Sequence, residues 1–244
     1  MHTVNATWEK RNIGVECNEI TIEADDTVEF LIEEIPKNET AYTVIKVPAG
    51  MIGMLFCLQK MGYLFIETMT TCYHNAAPFH LNRIQQRIID RTEYEKMNDS
   101  DINFMFEEIN KGLFTTDRIA LDPAFTIEQS NHRYACWIKD ELEHGSKLYK
   151  LVYGDKDFGF FGIKKQTEHD YYAFLGGVYP AFLSSGFGFS TNYYEIEEGR
   201  RLGAKRIKSL FSSNNRGAAA IHLSLGYALQ QQYYVLIKHG QQKT

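Results

Sequence analysis

The chain has little that would commit it to a membrane, to nucleic acid or to a metal. No apolar run approaches the ~20 residues that a membrane-spanning helix needs. The start, Met1-His2-Thr3-Val4-Asn5, lacks the basic-then-apolar pattern of a signal peptide. Lys and Arg form no block and the net charge is −5, which disfavours nucleic acid as a partner. The four cysteines, Cys17, Cys57, Cys72 and Cys136, are scattered, with neither CxxC spacing nor a His at ligand distance. They read as reduced, buried thiols rather than a metal site or a disulfide framework. These absences point to a cytoplasmic globular protein without membrane, nucleic acid or metal. At 244 residues it is long enough to bury a full core, as one large domain or two smaller ones.

What is present is patterned. Val28, Phe30 and Ile32 alternate and predict a strand; Tyr42-Thr43-Val44-Ile45-Lys46-Val47 predicts a better one, because β-branched residues dominate. Ala49 to Met61 places Met51, Met54, Leu55 and Leu58 at helical spacing and ends at Gly62, and Leu64 to Thr70 returns as a strand. Arg87 to Asp101 is charged and poor in β-formers, a helix end and connector; Ser100 or Asp101 can cap a helix through Ile109 that Gly112 stops. Ile127 to Leu142 reads as a helix. Lys147–Tyr153 and Phe158–Lys165 alternate as two strands about the turn Gly154-Asp155-Lys156-Asp157, and Thr167 to Asp170 turns into a third strand, Tyr171–Tyr179. The order implies an α/β fold with a mixed, largely antiparallel sheet flanked by helices.

One unit occurs twice. Aligning Gly62-Tyr63 with Gly226-Tyr227 gives strand, helix, Gly-Tyr, strand in both places. The polar positions differ: Met51 stands where Asn215 does, and Leu58 where His222 does. Nor does a glycine loop precede the first copy. The expectation is a degenerate N-terminal module, residues 1–113, that is structural, followed by a complete one, residues 114–244, with one active site per chain.

The second copy holds the chemistry. Pro180 to Phe189 leaves a strand and enters a helix through Gly186 and Gly188. Glycines let backbone N–H groups turn inward and the helix N-terminus adds partial positive charge, which together suit a pyrophosphate. Gly176 and Gly177 weaken the preceding strand and permit a bulge or a close backbone approach. Asn215 opens a short helix, and His222 follows two turns along the same face.

Strand, glycine loop, helix, strand, Asn-led helix, strand: this order resembles the acyl-CoA-binding half of the GNAT superfamily of N-acetyltransferases. The resemblance implies acetyl-CoA as co-substrate, with its pantetheine arm pairing along the edge of the Gly177-Val178 strand. It implies an oxyanion-stabilising N–H at Val178, and pyrophosphate contacts from the amides of Ser184, Ser185, Gly186, Phe187, Gly188 and Phe189. His222 stands where most members have a Tyr that protonates the departing thiolate, a task an imidazole can also do. Asn215 would bond the pantetheine amides, cap its helix, or both. One position departs from the pattern: Leu183 occupies the place of the usual Arg or Gln, so phosphate binding must rest on backbone amides and serine hydroxyls. For the base, Glu168, His169 and Tyr172 flank the reactive strand and nothing in the spacing selects one.

Phe114-Thr115-Thr116-Asp117-Arg118-Ile119 with Asp122-Pro123, then Arg133-Tyr134 and Trp137-Ile138, resembles the dTDP-fucosamine N-acetyltransferase group. That resemblance implies a small-molecule amine acceptor on a nucleotide-linked deoxysugar. Arg118 would suit its diphosphate and equally suits an ion pair; a homodimer is an allowed assembly. Two alternatives stay open: an enzyme of the same superfamily acting on another amine, such as an aminosugar antibiotic or a protein N-terminus, and a non-catalytic CoA-binding protein.

Overall fold

The computed structural model describes residues 1–78, 80–183 and 185–240. Strand β1 (His2–Asn5) leads into helix α1 (Thr7–Ile13), which Gly14 ends in the left-handed region, and then into β2 (Cys17–Thr21), antiparallel to β1. Residues 28–34, expected as a strand, form helix α2 (Val28–Glu34) instead. Burial gives the reason: Leu31 and Ile35 are fully buried, one helical turn apart, while Phe30 and Ile32 face outward. The Thr27 side chain accepts the Phe30 N–H and fixes the helix start. Strand β3 (Tyr42–Pro48) pairs parallel with β2, and α3 (Ile52–Lys60) and β4 (Leu64–His74) follow as the spacing predicts.

Residues 87–101 hold more than a connector. Helix α4 (Arg83–Ile89) and the edge strand β5 (Thr92–Lys96) lie here. None of the α4 residues is fully buried, and of β5 only Thr92 is, so neither carries an apolar period that a sequence can display. Helix α5 (Asp99–Asn110) is capped by Asn98 rather than Ser100 or Asp101. Asn98 Oδ1 accepts the N–H groups of Ser100 and Asp101, and Asp101 returns a carboxylate oxygen to the Asn98 N–H. Helices α6 (Arg118–Leu121) and α7 (Ile127–Glu143) follow; then come β6 (Lys147–Tyr153) and β7 (Lys156–Lys165), joined by the two-residue turn Gly154-Asp155. The remaining elements are β8 (Asp170–Val178), α8 (Gly188–Arg201), β9 (Arg206–Ser212), α9 (Arg216–Ser224) and β10 (Ala228–His239).

Among the described residues the strands form one ten-stranded mixed sheet, ordered β1-β2-β3-β10-β4-β9-β8-β7-β6-β5. The two halves interleave. β10, last in the chain, lies antiparallel between β3 and β4, and β4 lies antiparallel between β10 and β9. Each half therefore ends in a strand hydrogen-bonded to the other. On one face α1, α5, α6 and α7 cover the sheet, packing on Val44, Val235, Leu148, Phe160 and Phe174. On the other, α8 and α9 cover Phe161, Ile163, Tyr171, Ala173 and Phe211 of the second half, and α2 and α3 cover Ile45 and Val47 of the first together with Leu236 of the interleaved β10.

The decisive irregularity is between β8 and β9. Joined by the α8 crossover, they run parallel, but pair only from Asp170–Arg206 to Tyr172–Lys208. Beyond that β8 stays with β7 and β9 with β4, and the two strands diverge.

Candidate functional site

Where β8 and β9 part, a cavity of about 540 Å³ opens, within the range of small-molecule sites. Thr191, Asn192 and Glu195 of α8, Ala218 and His222 of α9 and Ser209 of β9 line it on one face of the sheet. Glu67 of β4, Arg118 of α6 and Arg133 and Trp137 of α7 line it on the other. The cavity thus passes through the sheet at the gap.

Four polar side chains are linked on the α8 side. Asn192 Nδ2 donates to Glu195 Oε2 at 2.9 Å and to His222 Nε2 at 3.1 Å. His222 Nε2 also lies 3.0 Å from the Ser209 hydroxyl, while Nδ1 lies 2.8 Å from the Ala218 carbonyl oxygen. A carbonyl only accepts, so the neutral ring carries its proton on Nδ1 and presents Nε2 as an acceptor. Burial lowers the His222 pKa, against the opposing pull of the Ala218 carbonyl, so this neutral form is the resting one at neutrality. Glu195 is buried, and burial drives its pKa well above the usual carboxylate range, against the Asn192 bond. Its Oε1 approaches β8 closely because Gly176 has no side chain: a Cβ there would lie 3.0 Å from Oε1. Sequence reading missed Glu195. On α8 it sits one turn from Thr191, and only the folded gap identifies it.

The residues singled out from sequence divide into two groups. Asn215 and His222 line the cavity, with Asn215 Oδ1 also accepting the Ala218 N–H at 3.0 Å as the helix cap. Gly177, Val178 and residues 185–189 lie outside its wall. The backbone of Val178 nevertheless faces the gap. Tyr179 N–H donates to the Phe158 carbonyl at 2.8 Å, and antiparallel bonding to one neighbour recurs at every second residue, so the Val178 N–H points away from β7.

The loop before α8 is built around aromatics. Phe187 packs on Phe182, Phe158 and Tyr153, and Phe189 is buried in the core. Gly186 takes φ +79, a left-handed turn that favours glycine. The Ser185 hydroxyl donates to the Phe182 carbonyl at 2.5 Å and accepts the Phe187 N–H at 3.2 Å. Ser185 and Phe187 therefore shape the loop. No side chain caps the α8 N-terminus, which leaves the amides there suited to an anion. Leu183, where a side-chain donor was expected, is exposed, and Ser184 lies outside the described residues.

On the opposite face an ion network joins the halves. Arg118 Nη2 bonds Glu19 and lies 3.3 Å from Glu9 Oε1; Arg133 Nε bonds both Glu9 oxygens at 2.8 and 3.0 Å; Lys46 bonds Glu19 at 2.8 Å. Burial alone would raise the Glu19 carboxyl, but Arg118 and Lys46 hold it down to about 2. The first half was expected to be structural only. It supplies Trp8, Asn12, Glu19, Lys46, Glu67 and Met69 to the cavity wall: β4 is the strand next to β9, and the cavity extends from the gap across this face as far as α1, β2 and β3.

No helix among the described residues is long and apolar enough to cross a membrane. No protein-family profile matches the sequence, and no curated protein does. Solved structures do match. A conserved protein of unknown function from Staphylococcus epidermidis is similar over 93% of this chain and 84% of its own, at 13% identity and a TM-score of 0.60. A GCN5-related N-acetyltransferase from Sphaerobacter thermophilus is similar over 86% of this chain and 64% of its own, at 13% identity and a TM-score of 0.54. Another from Kribbella flavida is similar over 92% and 82%, at 10% identity and a TM-score of 0.54. At these identities the likeness is one of architecture, and the chain has the fold of the GCN5-related N-acetyltransferases.

Proposed function

We propose that the chain is an acetyl-CoA-dependent N-acetyltransferase acting on a primary amine. The observation that carries the reading is the parting of β8 and β9 after three paired residues, with a buried carboxyl and an imidazole at the throat of the resulting cavity. The residues present suit the donor. The Val178 N–H faces an unpaired strand edge, to which an extended amide arm can add as another strand, while Gly176 and Gly177 make room for Thr191 and Glu195 on one face of that strand and Leu113 and Phe114 on the other. Bound there, acetyl-CoA would supply an acetyl group activated as a thioester.

In this reading Val178 N–H holds the reacting carbonyl oxygen. The backbone of Gly186, Gly188 and Phe189 holds the pyrophosphate at the start of α8, and Asn215 Nδ2 bonds the arm. An ammonium arriving beside Glu195 favours the ionised carboxylate, which then takes a proton from it, so that the amine is neutral when it attacks. His222 Nε2, unprotonated at rest, takes the proton released as the new bond to nitrogen forms and returns it to the departing sulfur. The acid role expected for His222 thus acquires a source for its proton. Support for a nucleotide-linked aminosugar is weaker, since Arg118, the group suited to a diphosphate, is engaged by Glu9 and Glu19.

Calorimetry with acetyl-CoA, followed by an amine screen that reads free thiol, tests the proposal. Binding and thiol release are expected, and Gly188→Asp should abolish binding by setting a carboxylate where phosphate sits. An acid at the first turn of a helix favours the helix, so the melting temperature should not fall with it. Unchanged affinity in Gly188→Asp would refute the loop assignment; binding without turnover on any amine would leave a CoA-binding protein.

A further inference from the structure

The cavity wall on the face covered by α1, α6 and α7 has an excess of negative charge. Three cations, Lys46, Arg118 and Arg133, meet the wall carboxylates Glu19, Glu67 and Asp117 and, behind the wall, the fully buried Glu9; Asp140, also in the wall, is paired with Arg11. Glu9 and Glu19 engage all three cations within hydrogen-bonding distance, so Glu67 and Asp117 are left over. Among the described residues neither makes an ion pair. Glu67 is 7% exposed, and burial raises its pKa against the Ser212 hydroxyl and the more distant Arg118. Asp117 uses Oδ1 to accept the Ile119 N–H; Oδ2 is buried without a close hydrogen bond, the carboxylate otherwise acting only on the neighbouring Tyr134 hydroxyl. A buried carboxylate oxygen without a partner costs free energy that a bound cation recovers. Across the gap, Glu195 likewise has no cation beside it.

The rest of the wall agrees. Trp8, Phe114, Tyr134, Trp137, Tyr172 and Phe174 line the same space, and aromatic faces attract ammonium groups rather than anions. Arg118 Nε is also left without an acceptor; a neutral amide or hydroxyl oxygen would meet it. A carboxylate or phosphate there would instead face Glu67 and Asp117 across a poorly solvated space.

We infer that the acceptor carries two cationic amines, as an α,ω-diamine or a longer polyamine does: one is delivered to Glu195 at the gap, and the other is held by Glu67 and Asp117 on the far face of the sheet. The inference rests on the acetyltransferase reading for the fate of the first amine, but the second subsite is a binding claim in its own right. Glu195 at one end of the cavity and the pair Glu67 and Asp117 at the other then act as a ruler, selecting acceptors by the spacing of their charges.

Calorimetry on the full chain without acetyl-CoA tests it, using diaminobutane, diaminohexane and spermidine against butylamine and hexylamine. At least one diamine should bind ten- to a hundredfold more tightly than its monoamine, the contribution of one charge-assisted bond. Glu67→Gln should remove that advantage without lowering the melting temperature and with acetyl-CoA affinity unchanged; Asp117→Asn, which keeps the α6 cap, should reduce it. Equal binding of diamines and monoamines, or an advantage that survives both substitutions, would overturn the inference. A diamine preference in a protein that fails to bind acetyl-CoA would sink the reaction and leave this subsite standing. Acetylation of monoamines and diamines at equal efficiency would do the reverse.

Discussion

The two strand-helix-strand units, β3-α3-β4 and β9-α9-β10, are the same piece of backbone put to different uses. In each, a glycine in the left-handed region ends the helix, Gly62 at φ +88 and Gly226 at φ +82. In each, the next residue is a buried tyrosine whose N–H closes on a carbonyl five residues back, Tyr63 on Leu58 and Tyr227 on His222, both at 3.0 Å. The side chains at those matched carbonyl positions then part company. Leu58 is fully buried among Met54, Ile45 and Leu236. His222 is equally deep, but it is tied to Asn192 and Ser209 beside an open gap. The lesson is that burial alone did not decide function here. β3, the strand matching β9, keeps β10 along its whole length and β2 from Tyr42 to Lys46, whereas β9 loses β8 after three residues, and only the second arrangement leaves a polar side chain something to face.

The sharpest way to break the comparison is to make the second copy read like the first. His222→Leu should lower turnover by about 10²–10⁴, the usual value of a positioned proton carrier, with acetyl-CoA affinity nearly intact. Equal losses of affinity and melting temperature would instead assign His222 to packing. His222 also leaves a mark on stability. Its pKa is lowered in the fold from the ordinary 6.5, so the stability it contributes is complete above that value and is lost as pH falls through the folded pKa. His222→Leu should remove that part of the acid-side loss.

Glu195 sharpens the comparison from the opposite sign. Its pKa is raised from the ordinary 4.5, so its contribution to stability is complete below 4.5 and fades as pH climbs through the higher folded value. Glu195→Gln should therefore gain melting temperature relative to the parent at pH 8 but not at pH 4, while turnover falls. A variant whose melting temperature tracks the parent at both pH values would mean that the carboxyl is not held in a dry site.

The smallest effect concerns the helix starts. Asn215 caps α9, whereas Met51 at the matching position of α3 makes no side-chain cap. Asn215→Ala should cost about 1 kcal/mol and Met51→Asn should recover a similar amount at the other site, read by denaturant unfolding. A gain at Met51 without a loss at Asn215 would mean the two starts are not equivalent.

Much of this architecture was legible in the residues themselves. The β-branched run 42–47, the helical spacing up to Gly62, the alternation of 147–153 and the Asn215 cap are local signals, set by backbone propensity and by glycine's access to positive φ. They were enough for the repeat, the mixed sheet and the placing of Asn215 and His222 on one helix face. Elements whose burial depends on partners remote in sequence were not legible. β5 reads as a charged connector because it is an edge strand, and α2 imitates alternation because Leu31 and Ile35 find their core only once β3 and β10 are in place. The same limit hid Glu195, Glu67 and Asp117. A carboxylate becomes chemically distinctive by losing water and lacking a counter-ion, and both depend on what the fold brings near it. The sequence by itself determined the repeated unit, its caps and its glycine turns, because those are written in short-range sterics and hydrogen bonding. Only the tertiary structure decided that the two halves exchange their last strands, that β8 and β9 part, and that unpaired carboxyl groups from both halves look into the same gap.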